Sequence, residues 1–355
     1  MIINDAYVRS LNVPLAVPYT IAYETITDVV NHFLVLHTSS GVTGIGCAAP
    51  APEVTGETAE ESLAALQAFC STVVGSEIEK LPTIPKSCPS ARTALDLAIH
   101  DIAARDGSTN IAGLFGPAEA IEAKRLTSVT VGIMSIDETI SRAKQCTQEG
   151  FMFLKIKGGH DVNLDIDRLN ALRDTFGVEI LLALDANQGY SIRDVEILER
   201  ASDSVRLEYL EQPTLKEDLD LLAQAARITS IPVMADEAVQ EVKDVIAIGE
   251  SNAVRLINIK LQKMGGLAEA VRIDSVAAEY GMRTMLGCMD ESALSIAAAL
   301  HLGATHPNVS YYDLDGHLDL TEDPFEALVE LHDGCLIAKS GPGLGWSSVP
   351  ESLLG

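Results

Sequence analysis

The sequence predicts an α/β protein, a TIM-type (β/α)7β barrel with an N-terminal α+β capping domain. Two observations carry this. From about residue 126 onward, short apolar runs alternate with polar stretches of helical periodicity. Each run also closes on one or two ionisable residues, and in a barrel of parallel strands such C-terminal ends gather at one mouth. The length agrees, because 355 residues exceed one ordinary compact domain and suit a barrel plus a smaller partner.

Taken in order, segment 1–122 is the expected cap. Tyr7–Arg9 and His32–Thr38 read as strands. Gly41–Gly46 (GVTGIG) reads as a hairpin turn leading into a third strand, since its glycine spacing is wrong for a phosphate loop. Glu57–Val74 and Ala91–Arg105 carry helical periodicity, and Pro82 and Pro85 break the chain between them. Segment 123–321 is the expected barrel. Its strands are Leu126–Ile133, Phe151–Lys157, Ile180–Asp185, Arg206–Glu211, Ile231–Asp236, Ala253–Lys260, Met282–Leu286 and Val309–Asp315. The tail, 322–355, has strand-like and turn-rich pieces and is expected to fold back and complete the cap. No sequence repeat is visible, so the periodicity is architectural.

The composition, 47% hydrophobic and 21% charged, predicts a large packed core. No segment approaches the ~18 to 20 unbroken apolar residues of a membrane helix. Met1–Asn12 lacks the basic start and apolar stretch of a secretory signal. The six cysteines are irregularly spaced and form no CxxC pair, which predicts reduced thiols and a cytoplasmic protein. A formal net charge of -26 repels nucleic acid and anionic membranes, favours solubility, and weakly favours cationic substrates. A homo-oligomer stays open.

The strand ends carry the chemistry. Lys155 and Lys157 lie two apart, so they share a face, as do Asp313 and Asp315. Asp185, Glu211 and Asp236 come from three successive strands. Three carboxylates with room for water and a substrate carboxylate suit Mg²⁺ better than zinc. The plainer reading of any one of them is a helix cap or an ion-pair partner. Removing a proton next to a carboxylate creates a dianionic enediolate, which needs concentrated positive charge. Lys157 and Lys260 are therefore the expected acid/base pair. A lysine base must titrate well below its usual ~10.4, and Lys155 is placed to lower the pKa of Lys157. Lys155 or Lys263 taken alone reads as an ordinary solvated lysine.

KIK at 155–157, LDAN at 184–187, EQP at 211–213, ADE at 235–237 and the lysine of INIK resemble the enolase superfamily in its muconate-lactonising branch. The resemblance spans nearly the whole chain. It implies that Lys157 and Lys260 are the acid/base pair and that Asp185, Glu211 and Asp236 are the metal ligands. GCMDES at 287–292 and DLDG at 313–316 are similar to the dipeptide epimerases, a group that includes the L-Ala-D/L-Glu epimerases. That implies a dipeptide whose α-ammonium is held by Asp313 and Asp315, although Asp315–Gly316 also reads as a simple turn. His317 stands where proline would be more usual.

A glutamate side chain would need a cation in the cap. The expected loop Tyr19–Thr27 offers Glu24 and no base, and Ala48–Thr58 offers Glu53 and Glu57. Neutral or cationic dipeptides are therefore expected in preference to L-Ala-L-Glu. Glu53 and Asp290 are the candidates for a basic side chain. Asp290 reads equally as a helix N-cap and Glu53 as a solvated loop residue. Alternatives within the branch are N-acyl amino acid racemase, o-succinylbenzoate synthase and cycloisomerase. A sugar-acid dehydratase would want a histidine late in the barrel, where Lys260 stands instead. From another class, a dipeptide-binding barrel without turnover would not need both lysines and all three carboxylates.

Overall fold

The computed structural model describes residues 1–20, 25–117 and 121–354, with side chains omitted at 17–20 and 25–26. Strands β1 (Ile3–Thr20), β2 (Thr25–Thr38) and β3 (Thr43–Ala48) form an antiparallel sheet in the order β1-β2-β3. The first two run far beyond the short strands expected from the sequence. Polar residues and Pro14 interrupt the alternation of β1, and its register with β2 shifts between Pro14 and Tyr19. The turn in GVTGIG is confined to its start, where Gly41 has φ 83°. Gly44 and Gly46 lie within β3 and let it approach the helix Pro89–Asp106. A Cβ on Gly46 would stand 1.8 Å from the Ala94 carbonyl oxygen.

The short strand β4 (Arg125–Leu126) leads into the barrel, whose strands are β5 (Val129–Val131), β6 (Phe153–Lys157), β7 (Leu181–Asp185) and β8 (Leu210–Glu211), then β9 (Val233–Ala235), β10 (Leu256–Lys260), β11 (Arg283–Gly287) and β12 (Val309–Asp313). They lie in sequence order in one sheet with parallel pairing throughout. The Ser128 N–H donates to the Tyr312 carbonyl at 2.9 Å and joins the two ends of the sheet. Helical segments follow each of the first seven barrel strands, and β12 ends the series. Capping boxes at Thr58/Glu61, Ser135/Glu138 and Ser191/Asp194 start three of the helices.

The expected first barrel strand, Leu126–Ile133, is split. β4 pairs with β14 (Cys335–Ala338), itself the partner of β13 (Val329–His332), so the chain leaves the tail sheet before it enters the barrel. Arg206–Glu211 shortens to two residues because Arg206 closes the preceding helical turn at φ 48°. The tail is tied down by Trp346, whose Nε1 donates to Asp101 at 2.8 Å while the Arg105 guanidinium lies 3.5 Å from its ring.

Alternation along β6 positions the site. Phe153 joins Ala183, Tyr209, Met234, Leu256 and Met285 in an apolar layer. Leu154 and Ile156 join the other cluster, with residues of the surrounding helices. Lys155 and Lys157 therefore follow Phe153 along the face that lines the barrel axis. Among the described residues no helix is long and apolar enough to cross a membrane.

Candidate active site

A cavity of about 720 Å³ opens at the C-terminal ends of the barrel strands and beneath the cap. Lys155, Lys157, Lys260, Asp236, Asp313, Asp315, Asp290 and Glu53 all line it. Asp185 and Glu211, both fully buried, touch Lys155. Glu24 lies outside the described residues.

Lys155 is the hub. Its Nζ donates to Asp313 at 2.7 Å and lies 2.9 Å from Glu211 and 3.2 Å from Asp185. Burial alone would push its pKa down, but the three carboxylates reverse this and hold it well above the usual value. Lys155 is thus buried within an anionic cage rather than solvated. Lys157 Nζ lies 2.7 Å from Asp185 and 3.1 Å from Asn187 Oδ1. Lys260 Nζ lies 2.9 Å from Asp236, which outweighs burial and raises its pKa. Strands β6 and β10 are four apart in an eight-stranded barrel, so Lys157 and Lys260 start from opposite walls.

Lys263 is not a solvated lysine either. It is fully buried, contacts Asp236 Oδ1 at 2.6 Å, and donates to the Asp236 and Asn258 carbonyls. Burial lowers its pKa against the pull of Asp236. Sequence spacing carried only a weak sign of this, a second lysine one helical turn after Lys260 in INIKLQK.

The three strand-end carboxylates differ in environment. Asp185 is pushed up by burial, yet Lys157 and Lys155 bring it down to about 2. Burial and the charge of Asp185 push Glu211 up to about 8. Asp236 is held low because Lys260 and Lys263 override its burial. Asn258 Nδ2 donates to Glu211 Oε1 at 2.7 Å, whereas Glu211 Oε2 accepts no hydrogen bond although Lys155 is near it. Glu237, also lining the cavity, has an unpartnered Oε2. Among the described residues no three His, Cys, Asp or Glu donors already close around one point. Lysine ammoniums hold these oxygens instead, so a cation would enter by exchanging with them. The donors themselves fit a hard divalent ion, being buried carboxylates with one oxygen left unsatisfied.

Asp313 and Asp315 meet the same cavity by different routes. Asp313 is engaged on both oxygens, by Ser128 at 2.5 Å and by Lys155. Asp315 accepts from the Thr130 N–H at 2.7 Å and from the Thr130 side chain, and its Oδ1 has the Cys288 thiol at 3.9 Å. Burial and the neighbouring Asp313 push Asp315 up to about 7. The helix Ala293–Thr305 is capped by Ser292, so Asp290 is not its N-cap. Glu53 sits in the short helical turn Pro52–Thr55, exposed and facing the cavity. Glu57, by contrast, is buried and accepts from the Ser90 N–H, a structural role. Sequence reasoning did not single out the cavity residues Asp28, Glu60 and Arg142.

Residues 3–116 match the mandelate racemase/muconate lactonizing enzyme N-terminal domain, and residues 138–352 match the enolase C-terminal domain-like family. The chain belongs to the enolase superfamily. This enzyme is similar to an L-Lys-D/L-Arg epimerase of Desulforapulum autotrophicum, with 35% identity covering 97% of this chain and 99% of that one. It is also similar to an L-Ala-D/L-Glu epimerase of Clostridium acetobutylicum, with 32% identity covering 97% and 98%. A crystal structure of a dipeptide epimerase from Methylococcus capsulatus, complexed with Mg and L-Arg-D-Lys, superposes with a TM-score of 0.89 at 36% identity, covering 97% of this chain and 99% of that one.

Proposed function

We propose that this enzyme is a Mg²⁺-dependent dipeptide epimerase that inverts the α-carbon of the C-terminal residue of an L,L-dipeptide. The observation that carries the reading is the placement of Lys157 and Lys260 on opposite walls of one cavity, each beside a strand-end carboxylate. One lysine, as the free amine, takes the α-proton and becomes an ammonium, while the C–H electron pair passes into an enediolate. The other, as an ammonium, returns a proton to the opposite face. Asp185, Glu211 and Asp236 would hold the metal, which would supply positive charge for the substrate carboxylate. Lys155 stays charged among its three carboxylates and adds to the positive field.

Asp315, with one oxygen lightly engaged, is the better placed of the DxD pair to receive the α-ammonium. Asp313 positions Lys155 and completes the anionic pocket. Residues 1–122 and 322–355 form the cap and 123–321 the catalytic barrel. Neutral or cationic dipeptides are preferred over L-Ala-L-Glu. Asp28, Glu53, Glu60 and Asp290 line the cavity around the cap, where a glutamate side chain would meet like charge. The relatives named for lysine and arginine support this preference, and the one named for L-Ala-D/L-Glu marks the contrary case. A library of L,L-dipeptides assayed for epimerisation tests it. Lys- or Arg-containing dipeptides are expected to have the highest kcat/KM, and faster turnover of L-Ala-L-Glu would overturn the preference.

A further inference from the structure

Arg142 is the one cavity-lining cation outside the lysine cluster among the described residues. It lies on the helix Ile136–Gln148, which follows β5, and is half-buried. An arginine presents five N–H donors, yet among the described residues its guanidinium has no hydrogen bond or ion pair. Asp319 lies within its electrostatic reach, its carboxyl raised by burial and lowered by Arg142. Asp319 also lines the cavity, and among the described residues its side chain accepts no hydrogen bond. One wall of the cavity thus presents an unused donor array and an unused acceptor within electrostatic reach of each other. Ile133, Met134 and Gly316 line the same region, where the ends of β5 and β12 meet beside Asp315.

We infer that Arg142 and Asp319 form a subsite for the side chain of the substrate's amino-terminal residue, and that the chemistry it takes is a carboxamide, as in glutamine or asparagine. The inference rests on the dipeptide reading above, which places the α-ammonium at Asp315 and so puts that residue's side chain between β5 and β12. A carboxamide oxygen accepts from the guanidinium while its N–H donates to Asp319, so both unused groups are satisfied at once. A Lys or Arg side chain meets the guanidinium as like charge, and a carboxylate meets Asp319. An aliphatic side chain leaves both groups unpartnered in a partly desolvated wall.

The test compares L-Gln-L-Lys with L-Met-L-Lys and L-Lys-L-Lys, following α-proton exchange in D₂O with the Mg²⁺-loaded enzyme. Methionine matches glutamine in length without its amide. The expected kcat/KM favours L-Gln-L-Lys by about tenfold or more, the value of a hydrogen bond to a charged group. In Arg142→Met, the Gln/Met ratio is expected to fall towards one, with Asp319→Asn reducing it less. Circular dichroism of both variants verifies that they are folded. If the wild-type ratio is near one, or survives Arg142→Met, the subsite assignment is wrong while the epimerase reading stands. If none of the dipeptides exchanges, both fall together. Faster turnover of L-Glu-L-Lys than of L-Gln-L-Lys also overturns the carboxamide assignment, because it would mean that Asp319 does not face the side chain.

Discussion

Lys155→Met removes the cation that three carboxylates share. The side chain is fully buried, so water cannot replace it, and breaking a buried ion pair costs about 3–5 kcal/mol. Each carboxylate keeps a second partner: Asp185 has Lys157 at 2.7 Å, Asp313 has Ser128 at 2.5 Å, and Glu211 has Asn258 at 2.7 Å. The loss should therefore fall at the lower end, about 3 kcal/mol in the absence of metal. Urea denaturation in EDTA measures it. Adding Mg²⁺ should stabilise the variant more than the wild type, because the three carboxylates it approaches then lack their shared ammonium. A ligand at a hundred times its Kd contributes about 2.7 kcal/mol to a folded state that alone binds it. A variant as stable as wild type in EDTA would refute the idea that Lys155 compensates this cage. An equal or smaller Mg²⁺ increment in the variant would refute the shared occupation of the site by lysine and metal.

Three further outcomes are expected. Glu53→Arg should shift the kcat/KM ratio of L-Ala-L-Lys to L-Ala-L-Glu by about tenfold towards glutamate, since Glu53 faces the cavity; an unchanged ratio would remove Glu53 from the side-chain pocket. Gly46→Ala should lower stability by about 1–3 kcal/mol, because its Cβ would collide with the Ala94 carbonyl; chemical denaturation indistinguishable from wild type would contradict that packing. Burial pushes the His301 imidazole down to about 4, against an unfolded value near 6.5. Between those pH values the unfolded chain binds the extra proton, so stability falls as pH drops from about 6.5 to about 4, and His301 contributes roughly 3 kcal/mol of that fall. His301→Asn, which keeps an acceptor for the Ala112 N–H, should flatten that part of the profile, and an unchanged acid slope would refute the assignment.

The barrel was legible because its periodicity is local: each strand is a short apolar run, and each run ends on the residue that reaches the mouth. Asp185, Glu211, Asp236 and Lys260 needed only that pattern to be placed together. The cap was less legible. β1 carries Asn4, Asp5, Asn12 and Pro14, so its alternation is masked, and its length comes from pairing with β2 rather than from propensity. Gly44 and Gly46 read as turn residues, whereas their use is close approach to a helix far along the chain. Taken alone, Lys263 and Lys155 read as solvated side chains, because their burial is created by carboxylates brought in from other strands; Lys155 was legible only through its pairing with Lys157. Arg142 was invisible for a related reason. It sits in the middle of a polar helix, and only the tertiary structure turns it towards the cavity.

The central claim is that Lys157 and Lys260 act as two separate acid/base groups on one α-carbon. Its most direct test is epimerisation of an L-Ala-L-Lys-type dipeptide by Lys157→Ala and Lys260→Ala, followed in D₂O with Mg²⁺ present and with folding verified. Each substitution should lower the epimerisation rate by about a hundredfold or more, because each removes the group that serves one face of the carbon. Either variant retaining the wild-type rate, with deuterium still entering the α-position of both diastereomers, would contradict the account.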